Sequence, residues 1–192
     1  MEGPGYFSQA GTFLISTVFE LYILIVLLRL LFQYLRMDFY NPISQFIVRA
    51  SNPALRPLRR FIPGYRGIDL AAVVLLLVLS LLEYSLLGLI TGHSLGLAGL
   101  LVLSLAKLLD LILNVFLFAI IIQVILSWVA PGTYNAITQI IYGISEPLLR
   151  PARQLLPPIG GLDLSPLIVL VLIKLTSILV IGPLLGLAMR LM

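Results

Sequence analysis

Cysteine is absent from this chain, and histidine occurs once, at position 93. Without thiols the chain cannot hold a disulfide, a thiolate metal site, an iron–sulfur cluster or a covalently attached haem. A lone histidine has no second nitrogen ligand to share a metal or haem with. His93, beside Ser94 in a short turn, therefore reads as a solvated turn residue. Charge is scarce too. Only 10% of residues are Asp, Glu, Lys or Arg, against about 25% in an ordinary soluble domain. No nucleophile–base pair and no His-Glu-x-x-His pattern occurs. The glycine-bearing stretches "GPGYFSQAG" and "GLAG" lack the strand-to-helix setting that phosphate loops need. These absences argue against an enzyme, and no cofactor or metal is expected.

What is there is mostly leucine, isoleucine and valine. Hydrophobic residues make up 60% of the chain, and the mean hydropathy is +1.13. The apolar runs approach the roughly 20 residues that cross a bilayer as a helix. They do not alternate apolar with polar residues, as a spanning β-barrel would. The reading is an all-α membrane protein with four transmembrane helices, near 12–35, 69–90, 97–129 and 163–189. The third would reach about 50 Å at the helical rise, longer than a hydrocarbon core, so it must tilt, bend or project into water. The N-terminal "MEGPGYFSQAGTFL" has no basic segment before the first run, which reads as a retained span.

The net charge of +4 is too small, and its arginines too close to the spans, to suggest nucleic acid. Arg36, Arg49, Arg56, Arg59, Arg60 and Arg66 follow the first span; Arg150 and Arg153 follow the third. The positive-inside rule places both segments in the cytoplasm and both termini on the far side.

The arginine segments are two copies of one pattern, "SNPALRPLRRFIPGYRGIDL" from Ser51 and "SEPLLRPARQLLPPIGGLDL" from Ser145, 94 positions apart without a gap. Pro53 matches Pro147, Arg56 matches Arg150, Arg59 matches Arg153 and Asp69 matches Asp163. Pro63 meets Pro157 and Gly67 meets Gly161. Upstream, Tyr34 matches Trp128, Tyr40 matches Tyr134, Asn41 matches Asn135 and Gln45 matches Gln139. The four aromatics fit interfacial anchors. The chain is a duplicated unit, 1–94 and 95–192. Each unit holds two spans, so both enter the membrane from the same side as parallel repeats.

Between the spans of each repeat the pattern predicts a short interfacial amphipathic segment. Asn41 suits a helix cap and Pro42 its first turn. Ile43, Phe46, Ile47 and Ala50 then form one apolar stripe, matched by Ile137, Ile140, Ile141 and Ile144. A second short helix is expected after Pro53 and after Pro147. Leu55, Leu58 and Ile62 would face the membrane, with Arg56, Arg59 and Arg60 on the other side. Arg150 and Arg153 take that cationic row in the second copy. Asp69 and Asp163 stand where a span begins, as N-caps that also suit the helix dipole. The arginines read either as solvated loop residues or as groups that bind lipid phosphates or partner proteins.

The paired pattern S-x-P-x-L-R-P-x-R, followed by P and G-x-D, resembles the YggT family of small bacterial and plastid membrane proteins, over essentially the whole chain. The two-copy layout is similar to the bacterial branch. The resemblance implies a non-enzymatic inner-membrane protein. It also implies a link to osmotic or ion homeostasis, to division or nucleoid distribution, or, in plastids, to cytochrome assembly. It brings no catalytic residues.

Ionisable residues inside the spans are Glu20, Arg29, Glu83, Lys107, Asp110 and Lys174. Such groups face a protein interior or water. Glu20, Glu83, Lys107, Asp110 and Lys174 are expected to form an intramembrane network. It is either a set of paired charges that pins the helices or an ion or proton path. Glu20 matches Asn114 and Glu83 matches Ser177, so the charges do not repeat as a symmetric pore would require. Gly88 with Gly92, and Gly182 with Gly186, are spaced for close helix packing, within the chain or in a homo-oligomer. Two functions stand at this point. One is an organising or assembly factor that contacts lipids and other membrane proteins through its arginines. The other is a small ion or osmolyte channel.

Overall fold

Four long apolar helices organise the chain in the computed structural model, which describes residues 5–92, 96–155 and 163–191. The expectations that fell on His93, Ser94, Pro157 and Gly161 lie outside the described residues. The first repeat comprises α1 (Tyr6–Tyr34), α2 (Pro42–Leu58) and α3 (Leu70–Thr91). The second comprises α4 (Leu97–Val129), α5 (Ala136–Leu155), α6 (Ser165–Thr176) and α7 (Gly182–Arg190). A π-helical turn, Ser177–Ile181, joins α6 to α7 into one fourth span of 26 residues. Its cause is local. Pro183 has no N–H to donate four residues back, and the Gly182 N–H reaches Ser177 O, five residues back.

Within each repeat the two spans lie antiparallel, α1 against α3 and α4 against α6 and α7, and α3 also packs on α4. At 33 residues α4 is one continuous helix, the longest of the four spans. Gly92 ends α3 in a left-handed conformation (φ 72°) that glycine adopts without strain. At most 28% of any span's most apolar window is buried within the chain, so most of each span's surface faces outward, where apolar side chains suit lipid.

Two expectations about the segments between the spans are corrected. No helix break occurs at Pro53 or Pro147. Instead α2 runs through Pro53 and Pro57, and α5 runs through Pro147 and Pro151. An interior proline costs roughly 3 kcal/mol in a helix. All four prolines sit on the exposed side, where the carbonyls they leave free can be solvated. The opposite stripe of α2, Ser44, Ile47, Ser51 and Leu55 at helical spacing, is buried and holds the helix together across the prolines.

The second correction concerns direction. Leu55 and Leu58 do not face the membrane. Leu55 is fully buried among Val26, Leu27 and Leu31 of α1 and Ala72 of α3, and Leu58 packs on the same cluster. In the second repeat Leu149 is equally buried, against Ile120, Val169 and Ile173. The amphipathic helices thus pack their apolar stripes against their own helix pair. Of the first stripe, Ile47 is buried while Phe46 is 62% exposed.

The repeats meet at this end as well. Ile47 of α2, Ile140 and Ile144 of α5, Phe32 of α1 and Ala119 of α4 form one cluster. Asn41 caps α2 by accepting the Ile43 N–H, and its amide donates across the seam to Ala136 O (2.8 Å) and Gln139 Oε1 (2.9 Å).

Candidate functional sites

A cavity of about 230 Å³ opens between α1, α3 and α4, lined by Glu20 of α1, Ser80, Glu83 and Tyr84 of α3, and Lys107, Asp110 and Asn114 of α4. The helices supply these groups at i, i+3 and i+4 spacing, which puts each set on one face. Glu83 is buried, whereas Glu20 and Lys107 are exposed, so the cavity opens outward past them. Asp110 accepts from Asn114 Nδ2 (3.1 Å) and from Ser177 Oγ of the π-helical turn (3.3 Å). Asn114 and Ser177 are the repeat counterparts of Glu20 and Glu83. The polarity is thus repeated while the charge is not.

Four of the five residues expected to form a network therefore surround one cavity. Lys174 does not join them and lies exposed on α6. The four are not paired. No ion pair joins Lys107 to a carboxylate among the described residues, and Glu83 Oε1 is buried without a hydrogen-bond partner. Three carboxylates against one ammonium leave an acidic site. Among the described residues no three acidic or histidine side chains come close enough to chelate a metal ion.

The arginine segments form two brackets between an amphipathic helix and the next span. In the first, Arg59 Nη2 meets Asp69 Oδ2 at 2.5 Å, and Asp69 Oδ1 accepts the Ala72 N–H as the N-cap of α3. The chain between them turns tightly. Tyr65 and Ile68 exchange backbone hydrogen bonds, Gly67 takes φ +86°, and Gln33 of α1 donates to Gly67 O (3.3 Å). In the second bracket Arg153 Nε meets Asp163 Oδ2 at 2.8 Å and Arg153 Nη1 meets Glu146 Oε1 at 2.8 Å. Asp163 is not the N-cap expected from its match to Asp69: with Pro166 in its first turn α6 starts one position later, Leu164 takes the cap position, and Asp163 accepts the Ser165 N–H (2.9 Å) from one residue before it. Glu146 also accepts from Gln123 Nε2 of α4, whose carbonyl oxygen accepts from Ser145 Oγ.

Burial works against the charge of Asp163, but hydrogen bonds from Arg153 and Ser165 outweigh it and hold the carboxyl below its ordinary range. Burial likewise opposes the charge of Arg153, yet its bonds to Glu146 and Asp163 raise its affinity for the proton. Arg59 and Arg153 are thus committed inside the protein. Arg56, Arg60 and Arg150 are exposed and make no ion pair among the described residues.

Sequence reasoning did not connect Gln123 and Glu146 to the second bracket, nor Arg29 to the first. The signal was present, since Arg29 and Gln123 are repeat counterparts, as are Asn52 and Glu146, and the matched serines 51 and 145 flag the same helix face.

Comparison with known proteins gives one consistent pattern. A family model described as CCB3/YggT matches the chain twice, over residues 8–90 and 102–184, in the register of the internal repeat. An uncharacterised protein of Pseudomonas aeruginosa is 50% identical over 177 residues, covering 91% of this chain and 90% of its own. The uncharacterised protein YggT of Escherichia coli K12 is 39% identical over 164 residues, 84% of each chain. The chloroplast protein CCB3 of Arabidopsis thaliana, named for cofactor assembly of complex C, is 28% identical over 72 residues, 37% of this chain and 41% of its own. No solved structure matches the chain.

Proposed function

The chain belongs to the CCB3/YggT family, and from that membership we propose that it is a non-enzymatic protein of the bacterial inner membrane that organises or assembles membrane partners. The observation that carries this reading is the sidedness of α2 and α5. Their inner faces are used up on the bundle, and their outer faces present Arg56, Arg60 and Arg150 with no ion-pair partner among the described residues. Such cations suit anionic headgroups or the acidic surface of a partner, at about 1 kcal/mol each near a charged membrane. By the positive-inside rule both brackets lie in the cytoplasm and both termini in the periplasm. The name of the plant relative, an assembly protein, lends the reading some weight. In-membrane crosslinking tests it. Neighbours captured by the wild-type protein should be lost from R56A/R150A, and an unchanged set would count against the proposal.

The acidic cavity favours a second reading, a small ion conductor tied to osmotic or ion homeostasis. Unpaired carboxylates are costly inside a membrane, and a path for cations or protons would justify them. Ion flux into liposomes that disappears in Glu83→Leu would establish it. Equal flux from both proteins, or none from either, would remove it.

A further inference from the structure

Among the positions at which the two brackets differ, two matched pairs, 29 with 123 and 52 with 146, change the polar partners. In the second repeat, Glu146 Oε1 accepts from Gln123 Nε2 (3.2 Å) and from Arg153 Nη1 (2.8 Å). In the first repeat those positions carry Arg29 and Asn52. The amide has become a guanidinium and the carboxylate has become a neutral amide. Among the described residues no hydrogen bond or ion pair reaches Arg29, and its Nε is buried without a partner. The guanidinium carbon lies over the ring of Phe39, 5.3 Å from the centroid. A half-buried guanidinium in this state lacks the anion that its counterpart region has built in.

Arg29 stands between two cavities. One, about 320 Å³, is lined by Arg29, Gln33, Arg59 and Asp69. The other, about 350 Å³, is lined by Arg29, Phe39, Gln45 and Arg49. Asp69 is the only carboxylate among these residues, and it is occupied by Arg59 and the Ala72 amide. Three guanidiniums thus face the cavities with one anion between them. Arg29 is five residues from the end of α1, about 8 Å along the axis, so the site lies near the membrane interface.

We infer that Arg29, flanked by Arg49 and Arg59, is a binding site for a phosphate group, which takes the role that Glu146 plays in the second repeat. The planar fork of a guanidinium matches two phosphate oxygens, and a half-buried site strengthens the bond. The phosphate is carried by a lipid headgroup or is free in solution. This inference does not rest on the organising role proposed above, which concerns Arg56, Arg60 and Arg150.

The swap R29Q/N52E gives the first repeat the pair that the second already carries, so it should fold. Wild-type protein and swap are titrated in maltoside detergent with phosphatidylglycerol, with inorganic phosphate, and with diacylglycerol, which lacks the phosphate. Bound lipid is counted by native mass spectrometry and phosphate is read by thermal shift. The wild-type protein should bind phosphatidylglycerol at least about tenfold more tightly than the swap, the scale of one lost charge-assisted hydrogen bond. Diacylglycerol should not distinguish them. A difference seen only with inorganic phosphate supports the site and makes the free ion its ligand. Equal affinities for both phosphate-bearing probes overturn it. If the swap does not fold, the reverse variant Q123R/E146N decides, since it should hold one more phosphatidylglycerol than wild type, and an unchanged count overturns the inference. Affinity lost in R56A/R150A but kept in the swap would place the binding on the outer arginines and overturn the Arg29 site.

Discussion

Arg59 and Asp69 are locked together across the gap between α2 and α3, with the carboxylate almost wholly buried and its second oxygen capping α3. Arg153 and Asp163 repeat the pair at 2.8 Å, but both side chains are a third exposed. The same ten-residue spacing therefore produces a buried bracket in one repeat and a partly solvated one in the other.

Arg59→Ala should destabilise the protein more than Arg153→Ala. It leaves a buried carboxylate without its cation, which costs roughly 2–4 kcal/mol, whereas solvent can take over for Asp163 and limits the loss to about 1 kcal/mol. Thermal unfolding in detergent measures both. Equal losses would mean that the bracket's burial contributes nothing.

The second bracket should show an acid-dependent stability. Asp163 is held below its ordinary value of 3.8 in the folded state, against the effect of burial, by Arg153 and Ser165. Its charged form therefore stabilises the fold at pH values above 3.8, and that contribution fades as pH falls through the lowered folded value. The melting temperature of D163N should lie below wild type at neutral pH and converge on it in acid. A gap that stays constant down to the acid limit would refute the linkage.

Two glycines should differ in their response to alanine. At Gly96 a Cβ would lie 2.8 Å from Leu191 O, a backbone atom in the last turn of the chain, so G96A should cost about 1–3 kcal/mol. At Gly143 the nearest atom, 2.6 Å away, is the terminal methyl of Met37, which can rotate aside. G143A should therefore stay within about 1 kcal/mol of wild type. Comparing the two melting curves checks the contrast.

Glu83→Gln should leave the fold as stable as wild type or more so. The substitution keeps the shape and removes a charge whose Oε1 is buried without a hydrogen-bond partner among the described residues. A marked loss of stability would mean that a cation or proton shared in the cavity binds the helices together.

How much of this was legible beforehand follows from the kind of signal each feature leaves. The spans could be read because a bilayer demands one apolar helix of a set length and tolerates no other unsatisfied backbone. The duplication could be read because the arginines, prolines and aspartates recur 94 positions apart. The continuity of α2 through Pro53 could not, because proline's local cost was overcome by burial of Ile47 and Leu55 against helices distant in sequence. The direction of that apolar face was equally hidden. A stripe that would suit lipid also suits a helix bundle, and only the position of α1 and α3 chooses between them.

The charges divide the same way. Composition, periodicity and the internal repeat determined a four-span, two-repeat helical membrane protein with Asp69 as the cap of α3, because those traits are local or repeat along one chain. Only the tertiary structure decided which charges meet. It gathered Glu20, Glu83, Lys107 and Asp110 around one cavity and left Lys174 outside. It joined Arg153 to Glu146 and left Arg29 with no hydrogen bond or ion pair among the described residues. Electrostatic pairing depends on distances of a few ångströms between helices, and those distances are set by packing that no single segment of sequence contains.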